Sequence, residues 1–189
     1  MLSSPGAVVS PEARGMGMVF QNYAVWPHKT VFENIALALE PGGPWRRLDW
    51  HRRRRDAADL LRRVGADIDA DGLVENLSMP EQQLVEIAKA VGSNARILVM
   101  DEPTASLSER EVEGLFQVMA RLRSDGVGIV YISHRLEEVL SIADRVTVLR
   151  DGRTVGTHPR EGLQRSTLIH LMIGRELSAI FPKRPVAAG

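Results

Sequence analysis

The chain has no cysteine in its 189 residues, which excludes disulfides and thiolate metal ligands and fits a reducing compartment. It has no excess charge of either sign. Lys+Arg and Asp+Glu stand at 24 each, so no overall pull toward nucleic acid or an anionic surface is expected. No apolar run approaches the roughly 18 residues that span a bilayer; the run at 127–132 reads only Val-Gly-Ile-Val-Tyr-Ile. Residues 1–10 carry neither a basic nor an apolar segment of the signal-peptide kind, so none is expected there. Aromatics are scarce, at 5%. The arginines at 46, 47, 52–55, 62 and 63 are read as a solvated helix face, not as a nucleic-acid surface with aromatics interleaved for stacking. Finally, no G-x-x-x-x-G-K-[ST] occurs, so the backbone loop that cradles nucleotide phosphates is not encoded in these residues.

What is present suffices for one domain or most of one. The chain is 44% apolar and 25% charged, enough for a core beneath a soluble surface. Residues 1–15, rich in Ser, Pro, Gly and Ala, read as loop. An apolar run at 17–20 reads as a strand ending at Gln21. Helices are expected at 31–39 (stopped by Pro41, Gly42, Gly43 and Pro44), at 50–64 with Leu60, Leu61 and Val64 as its apolar side, and at 81–91 with Leu84, Ile87, Ala88 and Val91 at helical spacing. From residue 96 the pattern alternates. The run at 96–100 reads as a strand buried on both faces. Ser108 and Glu111 form a capping box that opens a helix with Val112, Leu115, Phe116, Met119 and Leu122 on one stripe, stopping near Asp125 and Gly126. A second buried strand follows at 127–133, a helix at 135–143 and a third strand at 145–149. Asp151-Gly152 is a hairpin turn into 153–157, and 167–173 a short helix before a linker at 181–185. This β-α-β-α-β order predicts an α/β fold with a mainly parallel sheet flanked by helices and a helical block inserted before it.

Chemistry concentrates at the ends of these strands. Asp101 and Glu102 stand side by side where α/β proteins bind ligands, at a strand's carboxyl end. Two adjacent carboxylates there can hold a hard cation and polarise a water, although a solvated pair capping the next helix has the same local pattern. His134 follows the next strand and precedes Arg135; an imidazole there could sense a phosphate or simply bond at the surface. Gln21, after the first strand, says nothing alone. Ser78-Met79-Pro80-Glu81 makes a good helix start, since Pro suits the first turn and Glu the positive dipole end.

Taken together, these segments carry a resemblance. Leu-Ser-Met-Pro-Glu-Gln-Gln at 77–83, Ile-Leu-Val-Met-Asp-Glu-Pro-Thr-Ala-Ser-Leu-Ser at 97–108 and Ser133-His134-Arg135 resemble the signature, Walker B and switch-histidine motifs of ATP-binding cassette (ABC) transporter ATPases. Met-Val-Phe-Gln-Asn-Tyr-Ala-Val-Trp-Pro-His at 18–28 resembles their Q-loop. The stretch 75–183 looks most like the first cassette of tandem ribose-, xylose- and galactose-import ATPases, through Leu-Val-Glu-Ile-Ala-Lys-Ala, Asp-Glu-Pro-Thr-Ala-Ser-Leu-Ser-Glu-Arg-Glu-Val and Ile-Gly-Arg-Glu-Leu. Tyr23, Trp26-Pro27-His28 and Phe32-Glu33-Asn34 look closer to oligosaccharide-import cassettes.

The resemblance implies a P-loop NTPase-like fold, incomplete at its N-terminus: a partial ATPase domain over 1–180, with a signature subdomain at 33–90, a Walker B core at 91–180 and a linker or tail at 181–189. It implies ATP and Mg²⁺ as cofactors. Glu102 and His134 would be catalytic, and Asp101 and Gln21 would hold the metal. Gln21, Ser78, Met79, Pro80, Glu81, Ala105 and Ser106 would touch nucleotide. The implied activity is ATP hydrolysis coupled to sugar import, at the inner face of the cell membrane from the cytoplasmic side. Partners would be membrane permease subunits, a second cassette and, indirectly, a periplasmic or extracellular sugar-binding protein, with no nucleic acid. Two departures qualify this expectation. Without a phosphate loop, the residues look like a piece of such an ATPase, so a non-catalytic interaction module is an alternative, ahead of a soluble ABC ATPase of translation or repair. In the signature, Met79 and Pro80 replace both glycines of the family's Leu-Ser-Gly-Gly-Gln and Glu81 replaces its glutamine. Pro80 has no N–H to give a phosphate, and a weakened contact is expected.

Overall fold

In a computed structural model describing residues 3–4, 7–8, 15–21, 24–39, 50–93 and 95–174, the chain divides into two compact units, Met1–Ile132 and Ser133–Gly189. The stretch read as loop opens with two short strands, β1 (Ser3–Ser4) and β2 (Ala7–Val8), paired antiparallel. Two residues per strand are too few to leave an alternating pattern in the sequence. Then follow β3 (Met16–Val19), α1 (Val31–Ala38), α2 (Trp50–Arg63), α3 (Met79–Gly92), β4 (Ile97–Asp101), α4 (Glu109–Ser124) and β5 (Gly128–Ile132). The Pro41–Pro44 stop, Arg46, Arg47, Tyr23 and the linker at 181–185 lie outside the described residues.

Strands β3, β4 and β5 form one parallel sheet in that order, with Met18 opposite Val99 and Val99 opposite Val130. One face carries Gly17, Val19, Leu98, Met100 and Tyr131. Val19, Leu98 and Met100 are fully buried there, and Phe116 of α4 meets Tyr131 edge-on. Gly17 is forced by α3: a Cβ at this position would lie 2.9 Å from the Ala90 methyl and 3.2 Å from that of Ala95.

The other face differs from expectation. Met16, Met18, Phe20, Val130 and Ile132 are exposed on it, so β4 is half-buried there and β5 mostly exposed. The apolar runs give the sheet the capacity for two covering layers, but the helices packed on this sheet among the described residues of the unit lie on one side. Met100→Ala opens a cavity on the covered side and is expected to lose about 2–5 kcal/mol. A lowered urea midpoint with unchanged slope checks this.

The helices follow local rules. Thr30 caps α1 through a reciprocal box with Glu33, a signal the hydrophobic pattern alone passes over. Ser108 and Glu111 do the same for α4, whose stripe buries Val112, Leu115, Val118, Met119 and Leu122 before Asp125 and left-handed Gly126 end it. On α2 the arginine face is solvated and laced with acids: Arg54 pairs with Asp71 at 2.7 Å, Arg63 with Asp125 at 2.7 Å, and Arg62 with Asp59. Arg53 departs from that reading. It is buried, with its guanidinium 5.9 Å from the Trp50 ring centre.

The second unit holds α5 (Leu136–Ile142), β6 (Arg145–Arg150), β7 (Arg153–Pro159) and α6 (Arg165–Ile173). Asp151 (φ 51°) and Gly152 (φ 72°) make the expected two-residue hairpin turn. Among the described residues β6 is not paired with the parallel β3–β4–β5 sheet. Its hydrogen-bonded neighbour is β7, antiparallel. Val146, Val148, Leu163 and Leu168 form this unit's core, with Leu136, Val139 and Leu140 packed against it.

Candidate nucleotide site

The sheet sets the site's geometry. Adjacent parallel strands β3 and β4 end at the same level, with Val19 opposite Met100, so Gln21 and the Asp101–Glu102 pair emerge side by side. The Gln21 amide Nε2 lies 3.5 Å from Glu102 Oε2, the long limit for a donated hydrogen bond. Glu102 occupies the left-handed region at φ 45°, a conformation that costs a non-glycine residue about 1–3 kcal/mol. It is held there by its own N–H, which donates to Ile132 at 2.9 Å, and by its carbonyl, which accepts from Ala105 at 3.1 Å. The turn buries Pro103 and Thr104 and exposes Ala105 and Ser106. These two join Gln21, Val25, Pro27, Met79 and Gln82 around an open cleft of about 470 Å³.

At the start of α3, Ser78 and Glu81 are engaged with each other. One Glu81 oxygen accepts from the Ser78 N–H at 2.8 Å and from its hydroxyl at 2.7 Å. The hydroxyl bond first, and the backbone bond second, hold the Glu81 carboxyl below its ordinary value. The helix-start chemistry of this segment is therefore realised in full. Pro80 faces elsewhere, lining a separate cavity of about 240 Å³ between α3 and α4 with Gln83, Leu107 and Leu115. Exposed His134 belongs to the second unit, beside Ser133, whose Oγ accepts from the Arg135 N–H at 3.0 Å.

Sequence reasoning missed a buried polar row on α3. Gln83 and Glu86 are each 2% exposed. Gln83 Nε2 donates to the Pro103 carbonyl at 2.6 Å, tying the helix to the turn behind the acid pair. Glu86 Oε1 accepts from the Phe20 N–H at 3.0 Å and the Ala24 N–H at 3.2 Å. Lys89 Nζ donates to the Ala24 carbonyl at 2.9 Å. Burial pushes the Glu86 carboxyl above its ordinary value, against the pull of those two N–H groups and Lys89. The available signal was polar residues at i, i+3 and i+6 inside an apolar helix.

The α/β core with its parallel sheet is of the P-loop NTPase type, as the solved structures it matches also show. With a TM-score of 0.67 and 27% identity, it is similar to the dimeric structure of a post-hydrolysis state of the ATP-binding cassette MJ0796 bound to ADP and Pi, over 80% of this chain and 66% of that one. The chain belongs to the ABC transporter family, whose pattern matches residues 6–105. It is 48% identical over 176 residues to the ribose import ATP-binding protein RbsA 3 of Rubrobacter xylanophilus, covering 93% of this chain and 35% of that protein. To the ribose import ATP-binding protein RbsA of Geobacillus kaustophilus it is 43% identical over 179 residues, 94% of this chain and 36% of that protein. The chain thus spans about a third of the length of the curated relatives it matches.

Proposed function

We propose that the chain is part of the ATP-binding subunit of an ABC sugar importer, coupling ATP hydrolysis to uptake of a monosaccharide of the ribose, xylose or galactose kind. The observation that carries this reading is the meeting of Gln21 and Glu102 at the carboxyl ends of neighbouring parallel strands. In this reading Glu102 is the base that takes a proton from the water attacking the γ-phosphate, and His134 contacts that phosphate. Ala105 and Ser106 border the nucleotide, and the helix start of Ser78, Met79, the Pro80 backbone and Glu81 approaches the nucleotide of a second cassette. We assign 33–90 to the signature subdomain, 91–180 to the Walker B core and 181–189 to a linker or tail.

The donor set fits Mg²⁺. Asp101 ends β4 beside the end of β3 that carries Gln21, and Mg²⁺ in phosphate sites is held by one or two carboxylates plus phosphate and water. Asp101 and Gln21 would hold it, and the bound ion would neutralise phosphate charge. No helix among the described residues is long and apolar enough to cross a membrane. In this reading the chain sits against permease subunits on the cytoplasmic face, with a sugar-binding protein acting through them. A second reading, a non-catalytic docking module, draws support from the Ser78 hydroxyl being taken up by Glu81.

Nucleotide binding tests the proposal and separates the two readings. With no phosphate-binding loop in its sequence, a polypeptide of these 189 residues is expected to bind MgATP only in the millimolar range, about −4 kcal/mol. Joined behind the phosphate-binding segment of a ribose-import relative, it should bind MgATP tightly and hydrolyse it. Low-micromolar binding by the 189 residues alone would overturn the first expectation. A folded, ATP-binding fusion without turnover would favour the docking module.

A further inference from the structure

The α3 row of Glu86 and Lys89 is not explained by stability. A buried carboxylate is costly, and an apolar side chain of similar size is the cheaper way to fill a helix–sheet contact. Yet Glu86, 2% exposed, sits on a helix whose neighbours Val85, Ile87 and Ala88 are fully buried and apolar. Its second oxygen, Oε2, is buried with no hydrogen-bond partner among the described residues. What the carboxylate does achieve is geometric. One oxygen gathers the N–H groups of Phe20 and Ala24, which bracket Gln21 at one residue before it and three after. Lys89, one turn further along α3, takes the Ala24 carbonyl. The Ala24 backbone is therefore gripped by its N–H and its C=O together, from two side chains of one helix. That fixes the orientation of its peptide planes as well as its distance from α3.

We propose that Glu86, acting with Lys89, is a positioning residue that sets the reach of Gln21 toward Glu102, so that the helix begun by Ser78 and the Gln21 side chain move as one piece. The inference rests on the reading of Gln21 and Glu102 as the chemical groups of the site. Gln83 on the same row ties α3 to the turn that carries Glu102. The helix thus holds both partners of the Gln21–Glu102 contact, through different residues.

Nuclear magnetic resonance on the 189-residue chain reads this without nucleotide. The side-chain amide signal of Gln21, assigned by its loss in Gln21→Ala, should shift when Glu102→Gln is introduced. In a Glu86→Leu background, which fills the space but offers no acceptor, that response should be lost. The Phe20 and Ala24 amides should then exchange about tenfold or more faster, while those of Leu98 and Met100 keep their protection. Glu86→Gln retains one acceptor oxygen and should rescue both readouts; a role limited to filling space would be rescued by leucine as well. If Glu86→Leu also loses protection at Leu98 and Met100, Lys89→Met decides, since it removes only the surface-side bond. It should weaken the Gln21 response and speed exchange at Ala24 with the core intact. An unchanged Gln21 response in either protected variant overturns the proposal, as does a Gln21 signal blind to Glu102→Gln in the parent chain. Failure of the functional reading would show separately, as a fusion that does not hydrolyse ATP although the Gln21 response and its rescue are intact.

Discussion

Glu102→Gln is expected to lower ATP turnover by about 10²–10⁴-fold, the usual contribution of a positioned base, in a cassette where this chain follows a relative's phosphate-binding segment. In barrier height that is about 3–5 kcal/mol. Glutamine keeps the length and shape of the side chain and leaves the turn from Glu102 to Leu107 with its backbone bonds. It also keeps an oxygen that can accept from Gln21 Nε2. What it loses is the ability to take a proton. ATP binding should therefore persist while phosphate release stops, and the thermal midpoint should hardly move. Near-normal turnover in a folded variant would mean that another group accepts the proton.

The second large effect is expected at the signature. The Ser78 hydroxyl already donates to Glu81 at 2.7 Å, so it can reach a partner's phosphate only by giving up that bond. Glu81 carries its charge at neutral pH, because the Ser78 hydroxyl and N–H hold its carboxyl low, and that charge repels phosphate. Pro80→Gly with Glu81→Gln restores one N–H donor and removes the charge. Each charge-assisted bond to phosphate is worth about 1.5–3 kcal/mol, so the ATP-bound dimer of a hydrolysis-deficient cassette should tighten at least about tenfold. Glutamine can still close the capping box, and the glycine costs about 0.5–1 kcal/mol at the helix start.

Acid stability provides a control on this variant. A carboxyl whose folded value is lowered contributes stability that is complete above its unfolded value of about 4.5, and that is lost as pH falls through the folded value. The double variant should lack this component of the acid limb. The Glu33 and Glu111 boxes, lowered chiefly by backbone bonds from Thr30 and Ser108, should keep theirs. Dimerisation that is unchanged or weaker would show that Ser78 and the helix amides already suffice.

Features that depend on neighbours a few residues apart were legible in the sequence. The Ser108–Glu111 box, the Asp151–Gly152 turn and the strand ending in Asp101–Glu102 all stand where their local chemistry puts them. Burial was less so. The run at 97–101 shows that a strand could be covered on both faces, but whether a layer lies on the Met18 and Val130 side depends on elements far away in sequence. Glu86 was invisible for a related reason. Hydrophobic periodicity assigns a mid-helix glutamate to solvent, and its partners are main-chain N–H groups 62 and 66 positions upstream. The strain at Glu102 leaves no trace either, since a non-glycine left-handed residue is imposed by bonds such as that to Ile132, not by its own preference.

That strain sets two optima against each other at position 102. Glycine would relieve the left-handed strain of about 1–3 kcal/mol, part of it returned as backbone entropy in the unfolded chain. A library of variants sorted by heat resistance alone would therefore drift away from a carboxylate here, while, with Glu102 as the proposed base, one sorted by ATP turnover would recover it. Over evolutionary time the same opposition makes position 102 a gauge of use: in lineages where the cassette no longer turns over, it should be among the first residues to be lost, and its loss should leave a sturdier protein behind.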